Sequence, residues 1–249
     1  MLGLIYNNIL IPWLILGLVT FLVLLKVTAP YGKFNNTSWG PNMSFKWGWM
    51  IQEIISPICF SIFFLISCKD YPAVIWIFFI IWNIHYFNRS ILFPLRQKQT
   101  ASCPVVIVLS AIFFNIINGF TNGYYLGNIA IYPSDYIYSI NFIFGCIILI
   151  IGVIINIKSD NILIQIKKKG EGYKTPKGFL YKYISCPNYF GEIIEWLGFY
   201  IMTLSFPALI FVIWTMANLI PRALSNHRWY QNKFSDYPTE RKAIIPFIL

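Results

Sequence analysis

Charge is what this chain has least of. Only 11% of its 249 residues are Asp, Glu, Lys or Arg, against about 25% in an ordinary soluble domain, while 57% are hydrophobic. With a mean hydropathy of +0.63, that composition excludes a soluble globular fold, because too few polar groups remain to clothe a water-facing surface. Cysteine is sparse as well. The five present (Cys59, Cys68, Cys103, Cys146 and Cys186) are odd in number, lie mostly in apolar segments, and include no C-x-x-C and no histidine at ligand spacing. Neither a disulfide framework nor a metal site is indicated. No internal repeat of 20–50 residues is visible, which leaves a solenoid or an inverted-repeat transporter without support. Residues 1–25 lack a basic leader and an A-x-A-like cleavage site, so they are expected to stay as a membrane span.

What is present is long apolar runs. About 30 Å of hydrocarbon takes roughly 20 helical residues, and uncharged or nearly uncharged runs of that order occur at 3–25, 47–67, 72–88, 103–127 and 136–157. A sixth stretch, 188–224, would make a rod of about 55 Å at 1.5 Å per residue, and Pro207 near its middle must break or kink it. Two short spans, 188–204 and 207–225, are expected there. Seven spans leave 18 of the 19 Lys and Arg on one face of the bilayer, with only Lys69 on the other. The net charge of +10 is thus read as positive-inside loops and not as a nucleic-acid surface. The expectation is an all-α integral membrane protein with the N-terminus outside and the C-terminus cytoplasmic.

Polar groups inside such spans are costly, about 2.5–3.5 kcal/mol each when ionisable, and so mark function by default. Glu53 sits beside Gln52 in the second span. It could simply pack a helix interface by hydrogen bonding, or be a carboxyl kept protonated, able to donate a hydrogen bond or act as a general acid. Asn188, Glu192 and Glu195 fall on one helix face at i, i+4 and i+7, a stripe that must meet protein or water. Two carboxylates so close repel unless cations or donors stand opposite; a helix start favouring negative charge would be the plainer explanation, weaker for Glu195 than for Glu192. Asn156, Asp160 and Lys167 (i, i+4, i+11) form another stripe leading into Lys167-Lys168-Lys169. That cluster is either a stop-transfer signal or a receptor for phosphate groups, with the carboxylate taking a ribose or amide hydrogen bond. At the end of the third span, His85, Tyr86 and Arg89 could be ordinary interfacial residues, or could polarise a carbonyl and hold an anion. In the tail, Arg222, Asn226 and Tyr230 share a face at i, i+4 and i+8. The closing run from Arg241 to Leu249 is basic then apolar, as for a segment lying at the membrane interface.

These motifs together carry a family. Asn156-Ile-Lys-Ser-Asp160, Gly178-Phe-Leu-Tyr-Lys-Tyr-Ile-Ser185, Asn188-Tyr-Phe-Gly-Glu-Ile-Ile-Glu-Trp196, and Lys233-Phe-Ser-Asp-Tyr-Pro238 through Phe247 closely resemble the steroid 5-alpha-reductases. Pro30-Tyr-Gly-Lys33, Trp39-Gly-Pro41, Gln52-Glu53 with Ser56-Pro57, and His85-Tyr-Phe-Asn-Arg89 match in order, so the similarity covers nearly the whole chain. The resemblance implies a single reductase domain over 1–249, with 1–130 mainly substrate-pocket helices and 131–249 mainly cofactor-binding helices and loops. It implies NADPH-dependent reduction of the carbon–carbon double bond of a 3-oxo-Δ4 steroid. Glu53 and Tyr86 would hold the 3-keto oxygen with Gln52 in support. Tyr31, Arg89, Asn156, Asp160, Lys167, Tyr173, Asn188, Glu192, Glu195, Arg222 and Tyr230 would bind the cofactor. The absence of a G-x-G-x-x-G after any strand agrees with a dinucleotide held by helices and loops. The chain departs from the family pattern at Asn226-His227, where vertebrate members have two histidines, at Gln97 to Thr100, at Lys158 and at Lys167. These positions bear on how phosphates are gripped.

A membrane methyltransferase of the isoprenylcysteine or phospholipid type, using S-adenosylmethionine, would share the general plan but has no use for the carbonyl-polarising Glu53 and Tyr86. A lipid transporter leaves Asn188, Glu192 and Glu195 without a task. The expected setting is a monomer in membrane lipid, in the endoplasmic reticulum if eukaryotic or the inner membrane if bacterial, with no nucleic-acid partner.

Overall fold

The computed structural model describes residues 1–66, 72–97, 101–168, 170 and 172–249. Cys68, Lys69, Lys98, Lys169 and the rest of the 98–100 departure from the family pattern lie outside the described residues. Helices dominate: α1 (Leu2–Lys26), α2 (Phe45–Leu65), α3 (Ala73–Phe87), the short α4 (Phe93–Arg96), α5 (Val105–Tyr124), α6 (Ile140–Lys168), α7 (Pro187–Thr203) and α8 (Phe206–Lys233). Five helical segments, α1, α2, 105–129, α6 and α8, are long and apolar enough to cross a bilayer, as in an all-α multi-pass membrane protein. At 15 and 17 residues, α3 and α7 are shorter. Exposed leucines and isoleucines such as Leu4, Ile11, Ile15, Leu18 and Leu22 on α1 and Ile147, Ile150 and Ile154 on α6 form the apolar exterior that a bilayer solvates.

The chain forms two compact units. The first comprises 1–12, 29–142 and 205–208, and the second 13–28, 143–204 and 209–249. Within the first, α5 and the π turn that continues it (Tyr125–Ile129) present Asn115, Gly119, Gly123 and Gly127, spaced one turn apart, to Gln52, Ser56, Phe60 and Phe64 of α2. A Cβ on Gly119 would fall 2.9 Å from the Ser56 carbonyl oxygen, and one on Gly123 or Gly127 would strike the Phe60 or Phe64 carbonyl. Both sets of numbers rise together, so the two helices are parallel, and small residues let their backbones touch. Against α3 the order reverses. Phe60 stacks on Trp82 at 4.8 Å, Ser61 Oγ donates to Asn83 Oδ1 at 3.3 Å, and Trp49 Nε1 donates to the Arg89 carbonyl at 3.2 Å, so α2 and α3 are antiparallel. A π turn, Asn88–Leu92, follows α3 directly. Pro94, two residues beyond it, has no N–H to offer the Ser90 carbonyl four residues back. The ribbon of β1 (Asn42–Ser44) and β2 (Ser102–Pro104) is antiparallel, with Met43 opposite Cys103.

The second unit repeats the device. Gly145 and Gly152 of α6 meet Gly198 and Gly191 of α7, and Asn156 meets Asn188, which makes this pair antiparallel and in backbone contact. Trp214 of α8 stacks on Trp13 at 4.4 Å and donates to its carbonyl at 3.0 Å. The break expected around Pro207 occurs as Leu204 turning left-handed (φ 45°), with Pro207 seated in the first turn of α8, where a missing N–H costs nothing. Two boundaries differ from the sequence expectation. The fifth apolar run continues as helix to Lys168 and the seventh to Lys233, past Pro221. In both, a polar stripe on the extension is buried against protein: Asp160 on α6, and Arg222, Asn226 and Tyr230 on α8. The closing segment, expected at the interface, is instead tied into the protein. Ser185 N–H donates to the Lys242 carbonyl at 2.8 Å, Lys242 N–H to Tyr183 at 3.0 Å and Cys186 N–H to Ala243 at 3.1 Å. Ile244 is fully buried, and Phe247, Ile248 and Leu249 at the end remain as exposed apolar groups fit for an interface.

Candidate active site

In the first unit, Gln52 is buried and Glu53 half-buried on α2, and the Gln52 carboxamide donates to Glu53 Oε1 at 3.2 Å. Tyr86 on α3 is buried, packed against Trp82 and edge-on to His85 at 5.1 Å. The antiparallel register sets Trp49 beside Arg89 and Phe60 beside Trp82. Glu53 and Tyr86 each lie between those contacts on their own helices, which brings them to neighbouring levels of one helix pair. Arg89 is buried at the π turn, its guanidinium 5.1 Å from the Trp49 ring and 5.0 Å from Phe93. Tyr31, half-buried, belongs to this unit too.

The second unit gathers the other candidates. Asn188 is the second residue of α7, after Pro187, and its carboxamide donates to Asp160 Oδ1 at 3.0 Å. Asn156 Nδ2 in turn donates to the Asn188 carbonyl at 3.0 Å, so three of the predicted residues form one connected network. Glu195 is buried where α7 backs onto Gly152, and Glu192 is half-buried one turn after Asn188. Glu195 therefore lies on the face of α7 that meets α6. Tyr181, fully buried, donates to the Ser159 carbonyl at 3.3 Å; burial, with the Asp160 carboxylate nearby, pushes its phenol well above the usual value, so it remains a donor. Lys167 is exposed at the last turn of α6, and Arg222 is buried in α8. Tyr173 meets Trp229 edge-on at 5.0 Å, Trp229 abuts Tyr230 at 5.2 Å, and Tyr230 stacks on Tyr237 at 5.5 Å.

One cluster here escaped the sequence reading. Ser185 Oγ lies 2.6 Å from both His227 Nδ1 and Tyr237 Oη. Arg241 is 5% exposed, its guanidinium 5.1 Å from the Tyr237 ring, with Nε and Nη1 both buried and without hydrogen-bond partners among the described residues. A buried cation with unused donors calls for an anion. In sequence Arg241 is simply part of a basic tail, and only the folding of that tail onto Tyr183 to Cys186 buries it. Of the departures from the family pattern, Asn226 donates weakly to Cys186 Sγ at 3.6 Å, and Lys158 covers the Phe179 ring at 5.7 Å. Among the described residues no His, Cys, Asp or Glu group could hold a metal.

Buried polar side chains thus lie on α2 and α3, and the second unit holds a polar network between α6 and α7 and, in the segment after α8, the buried Arg241 with two unbonded nitrogens among the described residues. Comparison with known proteins identifies the family. Residues 101–249 match the family model for 3-oxo-5-alpha-steroid 4-dehydrogenase. The chain is 38% identical to steroid 5-alpha-reductase DET2 of Gossypium hirsutum, over 98% of this chain and 97% of that protein. It is 34% identical to 3-oxo-5-alpha-steroid 4-dehydrogenase 1 of Bos taurus over 94% and 93%, and 44% identical to 3-oxo-5-alpha-steroid 4-dehydrogenase 2 of Sus scrofa over 66% and 65%. The chain belongs to the 3-oxo-5-alpha-steroid 4-dehydrogenase family.

Proposed function

We propose that this protein reduces the Δ4 double bond of a 3-oxo-Δ4 steroid, with NADPH as the reductant and Glu53 and Tyr86 as donors to the 3-keto oxygen. The observation that carries the reading is the buried Tyr86 phenol at neighbouring height to the Gln52–Glu53 pair, within a family whose named members act on 3-oxo steroids. When bound, NADPH supplies the hydride added at C5. Negative charge then builds on the 3-keto oxygen, and protonation at C4 completes the saturated ketone. Glu53, protonated, and Tyr86 would each donate a hydrogen bond to that oxygen, which gains more from them as an enolate than as a ketone. Gln52 would orient Glu53 through the 3.2 Å bond already in place.

The second unit's residues fit a dinucleotide. Asp160 and Asn188 offer an acceptor and donors for ribose or amide, while Arg222, Lys167 and the unpaired N–H groups of Arg241 offer cations for phosphates. Asn156, Tyr173, Glu192, Glu195 and Tyr230 complete the set proposed from this unit, and Tyr31 and Arg89 are the cofactor residues proposed from the first. In this reading the chain crosses the membrane seven times, with α3 and α7 as short spans and the C-terminus on the basic, cytoplasmic side. The opposed directions of α2 and α3, and of α6 and α7, support that count. The test is a detergent-purified assay of steroid-dependent NADPH oxidation. Formation of the 5-alpha-dihydro product is expected. Dependence on S-adenosylmethionine, or no reaction with any 3-oxo-Δ4 steroid, would overturn the reading.

A further inference from the structure

Asn115 is a buried carboxamide that nothing in the proposed chemistry has used; the other buried polar side chains of α5, Asn118, Thr121 and Asn122, donate to carbonyls of their own helix, whereas Asn115 reaches another. It heads the glycine stripe of α5, one turn before Gly119, and its Nδ2 donates to the backbone carbonyl of Gln52 at 2.7 Å. It is 3% exposed, and its Oδ1 is buried with no hydrogen-bond partner among the described residues. A carboxamide kept in hydrocarbon with half its capacity unused is a poor device for stability, because an unmade buried hydrogen bond costs about as much as a made one returns. Its one bond, however, falls where α2 needs support. Pro57 lies inside α2 and has no N–H to offer the carbonyl of Glu53, four residues back, so the helix is weakest at the turn that carries Gln52 and Glu53. Kinks arise at such positions. The Asn115 bond grips the peptide unit that joins Gln52 to Glu53, and Gln52 in turn holds Glu53 Oε1.

We propose that Asn115 is a positioning residue: it clamps α2 at the Pro57 hinge and so fixes the direction of the Glu53 carboxyl. The inference rests on the reading of Glu53 as a donor to the steroid ketone. A displaced donor costs turnover far more than binding, since the apolar steroid body is held elsewhere and a misplacement of about 1 Å can slow a reaction by roughly 10²-fold.

The test uses full-length protein in detergent with a 3-oxo-Δ4 steroid and NADPH. In Asn115→Leu, kcat should fall about 10-fold, with the steroid KM and NADPH dissociation constant within about 2-fold and the melting temperature not lowered. Combined with Glu53→Gln, the Leu substitution should slow turnover no further, because the group it positions is already lost. Adding Pro57→Ala to Asn115→Leu, which returns a helical N–H to the Glu53 carbonyl, should recover part of the lost kcat. An undiminished kcat in Asn115→Leu, or full multiplication of its effect with that of Glu53→Gln, overturns the positioning role while leaving the donor reading intact. Wild-type turnover in Glu53→Gln overturns the donor reading and this inference with it. If the Leu variant cannot be recovered folded, Asn115→Ala is read by the same criteria.

Discussion

Asn188 Nδ2 donates to Asp160 Oδ1 at 3.0 Å, and this bond ties the first turn of α7 to the C-terminal third of α6, just past the point where the glycine contacts of the pair end. Two helices pressed backbone to backbone hold the polar groups at their margin in fixed relation. The carboxylate is thereby oriented before any ligand arrives.

Asn188→Ala should weaken NADPH binding by about 10-fold, the scale of one hydrogen bond to a charged group, while the protein folds normally. Asp160→Asn should act in the same direction. Fluorescence titration with NADPH measures both, and an unchanged dissociation constant in both would remove the network from cofactor binding.

Arg241→Met keeps the length and apolar stem of the side chain while removing the charge. The dissociation constant for NADPH should rise about 10-fold, and its dependence on salt concentration should become shallower. A variant that binds NADPH like the wild type at all salt concentrations would assign Arg241 to holding the tail alone.

Close helix contact makes strong claims about volume. Gly123→Val and Gly152→Val would drive side chains into the Phe60 carbonyl and the Glu195 backbone, and each should cost at least about 2–3 kcal/mol or prevent folding. Gly170→Ala meets nothing within 4 Å among the described residues, and the strain of its positive φ costs about 1 kcal/mol. Thermal unfolding in detergent ranks the three, and equal effects would contradict the packing described.

Leu204 is half exposed, with a left-handed backbone at the end of α7. Leu204→Gly should raise stability by up to about 1 kcal/mol, because glycine adopts that conformation without a Cβ penalty. A lower melting temperature would mean that the leucine side chain is worth more than the strain.

Much of the fold was legible in the sequence because apolar run length and charge placement are one-dimensional. Each of the seven expected runs contains a helix, and the Pro207 break lies within three residues of the left-handed Leu204. The stripe Asn156–Asp160 and the face Asn188–Glu195 could be read from spacing, since residues three and four apart share a side of a helix. What spacing does not give is the partner. That Glu195 backs onto Gly152, or that Asn115 reaches the Gln52 carbonyl, depends on which helices pair and in which direction. The one-turn repeat of Gly119, Gly123 and Gly127 was a visible sign of close packing that would have pointed to α5 as the partner-contacting helix. Arg241 was not recoverable at all, because a charged tail is exposed unless the chain folds back over it.

The central claim is that the Glu53 carboxyl and the Tyr86 hydroxyl both serve the 3-keto oxygen, and single-turnover rates of steroid reduction by Glu53→Gln, Tyr86→Phe and the double variant test it most directly. Each single variant should be slower by roughly 10²-fold with NADPH binding unchanged, and the double should fall short of the product of the two, as expected of donors to one oxygen. Rates near wild type in either single variant, or fully independent effects in the double, would contradict it.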